Sequence, residues 1–270
     1  MNGVYVPLFQ LDSLEGWRVV PRGIRMLEKG SPEYMAAWEH KGLWMIRDGV
    51  VEGRQDPPGC GFGSYLVSEK SFGDFELIYE AKPDWPADTG VYLRASEDGF
   101  QGYQVLLDYR RSGNIGGFYG NSLGGFHAVS FTLDAELDAE LDETGKPLRL
   151  LEEDPADSLE PITPEKTALL QHGVSGEEFL KIWKLNDWNE FRVVMKGLIP
   201  TITTYINGTK VAEIDLTKAG PDRFDRKAAE DMGGRGHIAF EVHDNDPALG
   251  TARWGENAAC RWRNVRIREL

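Results

Sequence analysis

Short segments of alternating apolar and polar residues recur along the chain, and Gly, Pro, Asp or Asn separates each from the next. Alternation with a period of two places one set of side chains in a core and the other set outside it, as in antiparallel strands. Asn207-Gly208 lies between two such segments and supplies the positive φ angles of a tight hairpin turn. Many short strands with few helices predict an all-β fold, a jelly-roll β-sandwich. The predicted strands are Trp44–Val51, Phe75–Ala81, Gly90–Ala95, Tyr103–Asp108, Glu190–Lys196, Thr201–Ile206, His237–Val242 and Arg261–Arg268.

One region interrupts the strand pattern, between about residues 133 and 186. It begins strongly acidic, and Thr163 and Ser175 then stand where helix N-caps are expected. We therefore predict a single β-sandwich domain over residues 1–270, which carries a partly helical insertion. The insertion is expected either to form a lid or rim over the sheet or to be a solvated excursion. A further short helix is predicted near residues 223–231.

The charge of the chain limits its partners. Thirty Lys and Arg residues against 44 Asp and Glu residues give a formal net charge of -14. A field of this sign repels phosphate backbones, so neither nucleic acid nor an anionic membrane is an expected partner. Neutral sugars are compatible with it. The sequence alone leaves the oligomeric state open.

The N-terminal residues and the two cysteines indicate a compartment. The chain starts MNGVYVPLFQ, without the basic start and apolar run of a signal peptide, and no segment is long enough to span a membrane. Cys60 and Cys260 do not make a disulfide framework, and two free thiols are the favoured interpretation. Together these features predict a cytoplasmic protein.

Alternation also shows which polar side chains share a face of the predicted sheet. Where the apolar members of a strand point into the core, the intervening residues point the other way. A guanidinium, carboxylates, an amide, a phenol and an imidazole on one face suit a polyhydroxyl ligand such as a sugar, provided that the strands are neighbours. The shared set is predicted to contain Glu76, Glu80, Tyr92, Arg94, Gln104, Asp108, Glu241 and His243.

Residues in loops add candidates to this set. His127 follows a glycine-rich stretch that could approach a ligand closely. Trp254 could stack on a sugar ring or plug an end of the sandwich, and plugging is favoured for Trp85. His243 and Asp244 could hold a divalent metal ion, although an Asp/Asn-rich turn is the commoner explanation. No cofactor is required by any motif, and serine-triad and dinucleotide motifs are absent from the sequence.

In their order along the chain, several segments resemble the 3-keto-disaccharide hydrolase family, which has a concanavalin A-like jelly-roll fold. Each segment is loose alone, but the order and spacing are specific. The resemblance covers nearly the whole chain outside the insertion. The segments are Phe9, Gly16-Trp17, Trp44 to Val51, Ser71 to Leu77, Asp88-Thr89-Gly90-Val91-Tyr92-Leu93-Arg94, Gly102 to Leu106 with Asp108, Gly117-Phe118-Tyr119-Gly120, Asp187-Trp188-Asn189, Ile206-Asn207-Gly208 and Trp262 to Leu270.

The resemblance implies cleavage of a glycoside whose sugar is oxidised at carbon 3. A base removes the proton on carbon 2, the group on carbon 1 leaves by β-elimination, and water can add to the enone. On this basis Glu241 or His243 is the expected base, Asp108 or His127 the expected leaving-group acid, and Arg94 the enolate stabiliser. Residues expected to bind substrate are Gln104, Tyr92, Glu80, His127, Tyr119 and Trp254.

This sequence departs from the family pattern at two positions. The carboxylate of the Tyr-Glu-Val-Gln segment is replaced by Gln104, and the amide before the late histidine is replaced by Glu241. One acid–base group is thus lost and one gained, which leaves two rival hypotheses. The first is a carbohydrate-binding module without catalysis, and the second is glycoside hydrolysis by two suitably spaced carboxylates drawn from Glu76, Glu80, Asp108 and Glu241.

Overall fold

A computed structural model describes residues 3–137 and 146–270. Its strands are β1 Val6–Pro7, β2 Trp17–Pro21, β3 Leu43–Arg47, β4 Val50–Arg54, β5 Ser64–Phe72, β6 Phe75–Pro83, β7 Ala87–Ala95, β8 Gly102–Tyr109, β9 Ile115–Asn121, β10 His127–Ala128, β11 Leu133–Leu137, β12 Pro147–Glu152, β13 Leu170–Gly173, β14 Asn189–Lys196, β15 Thr201–Ile206, β16 Thr209–Asp215, β17 Gly236–Val242 and β18 Cys260–Glu269. Its α-helices are α1 Pro32–Glu39, α2 Pro164–Ala168, α3 Gly176–Ile182 and α4 Arg226–Met232.

The described strands form two large antiparallel sheets. One has seven strands in the order β10-β9-β8-β7-β17-β5-β2. The other has nine, in the order β13-β16-β15-β14-β6-β18-β4-β3, with β1 added beside β18. The sheets pack face to face in the predicted jelly-roll sandwich, and β11 and β12 form a separate hairpin.

The core lies between the two sheets and is formed by the apolar sets that alternation assigned to it. Phe240 of β17 in the seven-stranded sheet packs on Trp262 of β18 in the other, with ring centroids 5.0 Å apart. Tyr79 stacks on Phe191 at 4.9 Å. Since these side chains face inward, the polar members of β7, β8 and β17 lie on the opposite face of the seven-stranded sheet.

Most predicted elements are confirmed, with differences at their ends. The segment Trp44–Val51 is not one strand but parts of β3 and β4, because Asp48 and Gly49 adopt positive φ angles of 51° and 74° and form a turn. Asn207-Gly208 forms the predicted hairpin turn between β15 and β16. Helix α1 was not predicted from the sequence.

The insertion contains both predicted helices as well as strands. The hydroxyl of Thr163 caps α2, and Ser175 forms a capping box with Glu178 at the start of α3. The strands β11, β12 and β13 in this region were not predicted, and residues 138–145 of the acidic stretch lie outside the described residues. The helix predicted near residues 223–231 is α4, which begins later because Asp225 is its N-cap. Among the helices described, none is long and apolar enough to cross a membrane.

Candidate active site

A cavity of about 250 Å³ opens on the face of the seven-stranded sheet that points away from the core. Five residues predicted from the sequence line it: Gln104, Asp108, Tyr119, His127 and His243. Residues that the sequence did not single out complete the wall, and they add three guanidinium groups and two carboxylates: Arg22, Asp88, Arg110, Glu160 and Arg253. The volume is at the small end of the range for ligand pockets.

Strand pairing explains how the predicted residues meet. Gln104 of β8 lies opposite Tyr119 of β9, which in turn lies opposite His127 of β10. The rings of Tyr119 and His127 meet edge to face at 5.8 Å. His243 directly follows β17, on the other side of β8, and three strands separate β10 from β17. The two histidines therefore face the cavity from opposite walls.

Gly90 of β7 allows a side chain to cross its strand. Gln104 Nε2 donates to Glu241 Oε2 at 2.7 Å, although β7 lies between their strands. A Cβ atom at Gly90 would lie only 2.5 Å from Gln104 Nε2 and 2.8 Å from the carbonyl oxygen of Val105. A side chain at this position would displace the Gln104 amide, so the glycine is needed for the contact.

Glu241 lies beneath the cavity and does not line it. Its side chain is completely buried, and it accepts from Arg22 Nε at 2.7 Å, from Gln104, and from the Tyr92 hydroxyl at 3.4 Å. Its donors thus leave it no position from which to remove a substrate proton. Glu241 and Tyr92 act on the cavity through Arg22 and Gln104, and the expectation that Tyr92 contacts the ligand directly is wrong in this unliganded geometry.

Arg22 links Glu241 to the histidine. Its Nη1 donates to Asp244 Oδ1 at 2.6 Å, and Asp244 Oδ1 lies 3.0 Å from His243 Nδ1. His243 Nδ1 also lies 2.7 Å from the carbonyl oxygen of Asp244. Two oxygens at Nδ1 favour a proton there, so Nε2 is the ring atom free to act in the cavity.

The possible metal site at His243 and Asp244 has a guanidinium in the position that a cation would need. Arg22 is ion-paired to Asp244. Within residues 3–137 and 146–270, no three His, Cys, Asp or Glu side chains converge as ligands. The donor set therefore does not fit a divalent ion, and no chemical step below depends on one.

Asp88 and Asp108 face each other on β7 and β8 and have divergent pKa values. Burial and the neighbouring Asp88 carboxylate raise the pKa of Asp108 well above its usual value. Burial alone would raise the pKa of Asp88 too, but nearby His243, Arg110 and Arg253 lower it overall. Two adjacent carboxyls that differ in this way provide one proton donor and one fixed negative charge.

Arginines hold this carboxyl pair in place. Arg253 Nη1 donates to Asp88 Oδ2 at 2.6 Å, and its other nitrogens bind Asp246. Arg110 Nε lies 3.0 Å from Asp108 Oδ1 but is not aligned for a hydrogen bond, so both buried atoms lack a hydrogen-bond partner in the unliganded site. A ligand hydroxyl placed there could satisfy them.

The two histidines differ in protonation. Burial, and secondarily the charge of Lys166, lower the pKa of His127 to about 4, so its imidazole is neutral at pH 7. Burial and Arg22 act to lower the pKa of His243, but Asp88, Asp244 and Glu241 outweigh them and raise it above the usual value.

Arg94 is not in the cavity, which corrects the prediction of its role. Its φ angle is +46°, and the β7–β17 register shifts beside it, so the regular alternation of β7 ends there. The guanidinium binds the carbonyl oxygens of Gly73 and Gly197 and the carboxylate of Asp74. Arg94 therefore ties strand ends together and is too far along the sheet to stabilise an enolate.

Glu76 and Glu80 are also misplaced in the sequence prediction, because β6 belongs to the nine-stranded sheet. Glu80 is bound by Arg263 and Asn264, so it cannot bind a substrate in the cavity. The four carboxylates proposed for glycoside hydrolysis thus do not lie together. Trp254 is completely buried and donates to the carbonyl oxygen of Ala258, so it plugs the sandwich and does not stack on a sugar.

The residues that were missed lie at strand ends and in loops. Asp88 precedes the predicted start of its strand, yet β7 begins at Ala87, and extending the alternation from Tyr92 back through Gly90 would have identified Asp88. Arg22 and Arg253 come from loops, and no periodic pattern marks them. Glu160 comes from the insertion, so the insertion forms part of the cavity rim.

The fold and the cavity together define a jelly-roll domain of the kind found among glycosyl hydrolases and carbohydrate-binding proteins. Residues 5–268 match the family described as the 3-keto-alpha-glucoside-1,2-lyase-like domain, and the chain belongs to that family. No curated protein sequence matches it.

Solved structures share the fold. A candidate glycosyl hydrolase from Parabacteroides distasonis has a TM-score of 0.50 and 16% sequence identity, with 99% of this chain and 94% of that chain covered. The carbohydrate-binding module CBM66 from Bacillus subtilis has a TM-score of 0.46 and 12% identity, with 94% and 96% covered. At these identities the similarity concerns the fold alone.

Proposed function

We propose that this protein cleaves 3-keto-glycosides by β-elimination, with hydration of the enone completing a net hydrolysis. The observation that carries the proposal is the buried pair of Asp108, which favours its protonated form, and Asp88, which favours its ionised form. Elimination needs a proton donor beside the leaving oxygen and a base at carbon 2. The family membership supports the substrate class.

His243 is the proposed base. Its Nδ1 is held by the two oxygens of Asp244, and its Nε2 faces the cavity. In the neutral form Nε2 carries the lone pair that takes the proton from carbon 2. The raised pKa makes this imidazole a stronger base than an ordinary histidine once it is deprotonated.

Asp108 is the proposed acid. It gives its proton to the oxygen on carbon 1 as the bond from that oxygen to carbon 1 breaks. His127 is a poorer donor, because an imidazole with a pKa of about 4 carries no dissociable second proton at pH 7. Its neutral ring is suited to hydrogen bonding with the substrate.

Arg22 takes the role that the sequence assigned to Arg94. It lines the cavity, is fixed by Glu241 and Asp244, and lies on the same side as His243. A fixed positive charge there stabilises the enolate oxygen on carbon 3, which adjoins the carbon that loses its proton. Gln104 and Tyr119 would orient the sugar ring.

The test is release of the leaving group from a panel of 3-keto-glucosides, with His243→Gln and Asp108→Asn as variants. Each is expected to lower kcat by about 100-fold or more, the usual contribution of a general acid or base. Matched controls are His172→Gln and Glu190→Gln, whose side chains lie outside the cavity on the nine-stranded sheet. Full activity in both cavity variants would remove these residues from the mechanism.

A carbohydrate-binding module is the second candidate, and one observation favours it. Glu241, the carboxylate gained relative to the family pattern, is buried and occupied by Arg22 and Gln104. A module of this kind would bind sugars by the same hydrogen-bonding groups without turnover. Calorimetric binding of a 3-keto-glucoside with no release of its leaving group would establish that alternative.

A further inference from the structure

A second cavity, of about 190 Å³, lies next to the first, and His127 lines both. The first cavity extends from this histidine across β9, β8 and β7. The second extends the other way, between the turn that precedes β10, the helix α2 and the loop that precedes α4. The polar and backbone groups around it belong to Gly124, Gly125, Glu165, Lys166, Asp222 and Arg223.

The floor of the second cavity is firmly built. Gly124 and Gly125 have φ angles of 90° and 64°, which bend the chain between β9 and β10. The Asp225 amide donates to the carbonyl oxygen of Leu123 at 3.1 Å, and a Cβ atom at Gly124 would lie 2.9 Å from that amide nitrogen. The turn and the loop before α4 are therefore packed directly on each other.

The insertion supplies walls to both cavities. Glu160 lines the first, whereas Glu165 and Lys166 line the second. Lys166 Nζ donates to the carbonyl oxygens of Glu160 and Pro161, each at 3.0 Å, and so fixes α2 to the rim of the first cavity. The two cavities are thus parts of one continuous structure around His127.

The charges in the second cavity are balanced. Glu165 and Asp222 offset Lys166 and Arg223, and Asp222 and Arg223 are ion-paired to each other at 3.2 Å. A balanced set of donors and acceptors suits a neutral molecule with many hydroxyls better than an anion or an aromatic group. His127 experiences the charge of Lys166 from one side and those of Glu160, Asp88 and Arg110 from the other, as a residue at the junction should.

We propose that the second cavity is the subsite for the leaving group, and that the leaving group it accepts is a second sugar. This proposal rests on the proposed function. The oxidised sugar occupies the first cavity, the bond that breaks lies near His127, and the departing sugar lies between α2 and the loop before α4. The neutral His127 ring hydrogen-bonds to the substrate at the junction.

The test compares kcat/KM for a 3-keto-disaccharide with kcat/KM for methyl 3-keto-glucoside, expressed as a ratio. The ratio is expected to fall about tenfold in Arg223→Ala, which removes a charged donor to a hydroxyl. A similar fall is expected in Gly125→Asn. Asn accepts a positive φ, and the nearest atom to the new Cβ is 3.8 Å away, so the side chain narrows the cavity without strain. Lys227→Ala, an exposed change on α4, is the control and should keep the wild-type ratio.

Turnover of both substrates with a ratio that neither variant changes would overturn the subsite and leave the proposed function standing. A preference for an aryl glycoside over the disaccharide would also overturn it. If neither substrate is turned over, the proposed function fails, and the same ratio is measured with dissociation constants from calorimetry. Equal loss of affinity for the disaccharide and the methyl glycoside would then contradict the subsite.

Discussion

Gln104 Nε2 donates to Glu241 Oε2 at 2.7 Å over Gly90, and this one contact joins the two positions at which the sequence departs from its family pattern. The pattern has a carboxylate at the first position and an amide at the second, and here the order is reversed. The two departures therefore form one exchange across a hydrogen bond. The junction keeps one carboxylate and one amide, so the loss of the glutamate at position 104 is compensated.

This exchange predicts strong coupling between the two residues. Gln104→Glu alone would place two buried carboxylates in contact and should destabilise the fold by about 2–4 kcal/mol. Glu241→Gln alone would leave Arg22 without its carboxylate partner. The double variant restores one of each, so the measured interaction free energy should be about 1–3 kcal/mol. Urea denaturation of all four proteins measures it, and additive effects would contradict the exchange.

Gly90→Ala tests the aperture beneath this contact. The new Cβ atom would meet Gln104 Nε2 at 2.5 Å and the Val105 carbonyl oxygen at 2.8 Å. We expect a loss of about 1–3 kcal/mol of stability and a raised KM, because overpacking forces Gln104 out of place. Gly234→Ala is the control, since its Cβ would have 3.8 Å to the nearest atom. Equal stability of the two variants would show that Gln104 moves aside at little cost.

Asp108→Asn should separate stability from activity. The pKa of Asp108 is raised in the fold, so its bound proton stabilises the protein at low pH, and that contribution disappears as the pH rises through the raised value. The Asn variant does not lose it. We therefore expect the variant to gain stability relative to the wild type between about pH 4 and pH 8, by roughly 1 kcal/mol or more, while losing activity. A constant difference in urea midpoint across this range would show that the carboxyl ionises normally.

Arg22→Gln should change the titration of His243. The charge of Arg22 acts to lower the pKa of His243, and its removal also frees the carboxylates of Asp244 and Glu241. The pKa of His243 is therefore expected to rise further, and the acid limb of the kcat/KM profile should move to higher pH with it. Imidazole resonances in NMR follow the titration. Arg261→Gln, on the nine-stranded sheet, is the matched control and should leave both readouts unchanged.

Alternation along single strands could predict the two faces of β8 and β17, and hence Gln104, Asp108 and Glu241, because a strand's period is a local property. Which sheet a strand joins is not local. Glu80 was assigned to the cavity because β6 alternates like β8, but pairing with β14 and β18 places it in the other sheet.

Arg94 and Arg22 show a second limit. The alternation of β7 assigned Arg94 to the cavity face, and one residue with a positive φ removed it. The site obtains its cation from Arg22 instead, which follows β2 at the far edge of the same sheet. A guanidinium at the end of a long side chain can reach a site from several strands, so its residue type alone does not identify which arginine will occupy it.

His127→Gln should make the protein less sensitive to acid. The pKa of His127 is about 4 in the fold and near its ordinary value in the unfolded chain, so the unfolded state takes up the proton first as the pH falls. The stability present above about pH 6.5 is lost as the pH approaches 4, by up to about 3 kcal/mol. Gln cannot titrate, so the variant should lose less stability than the wild type in urea unfolding between about pH 7 and pH 4. His172→Gln, a change of an exposed histidine on β13, should retain the wild-type dependence, and a His127 variant as acid-sensitive as the wild type would mean that this ring is protonated within the fold.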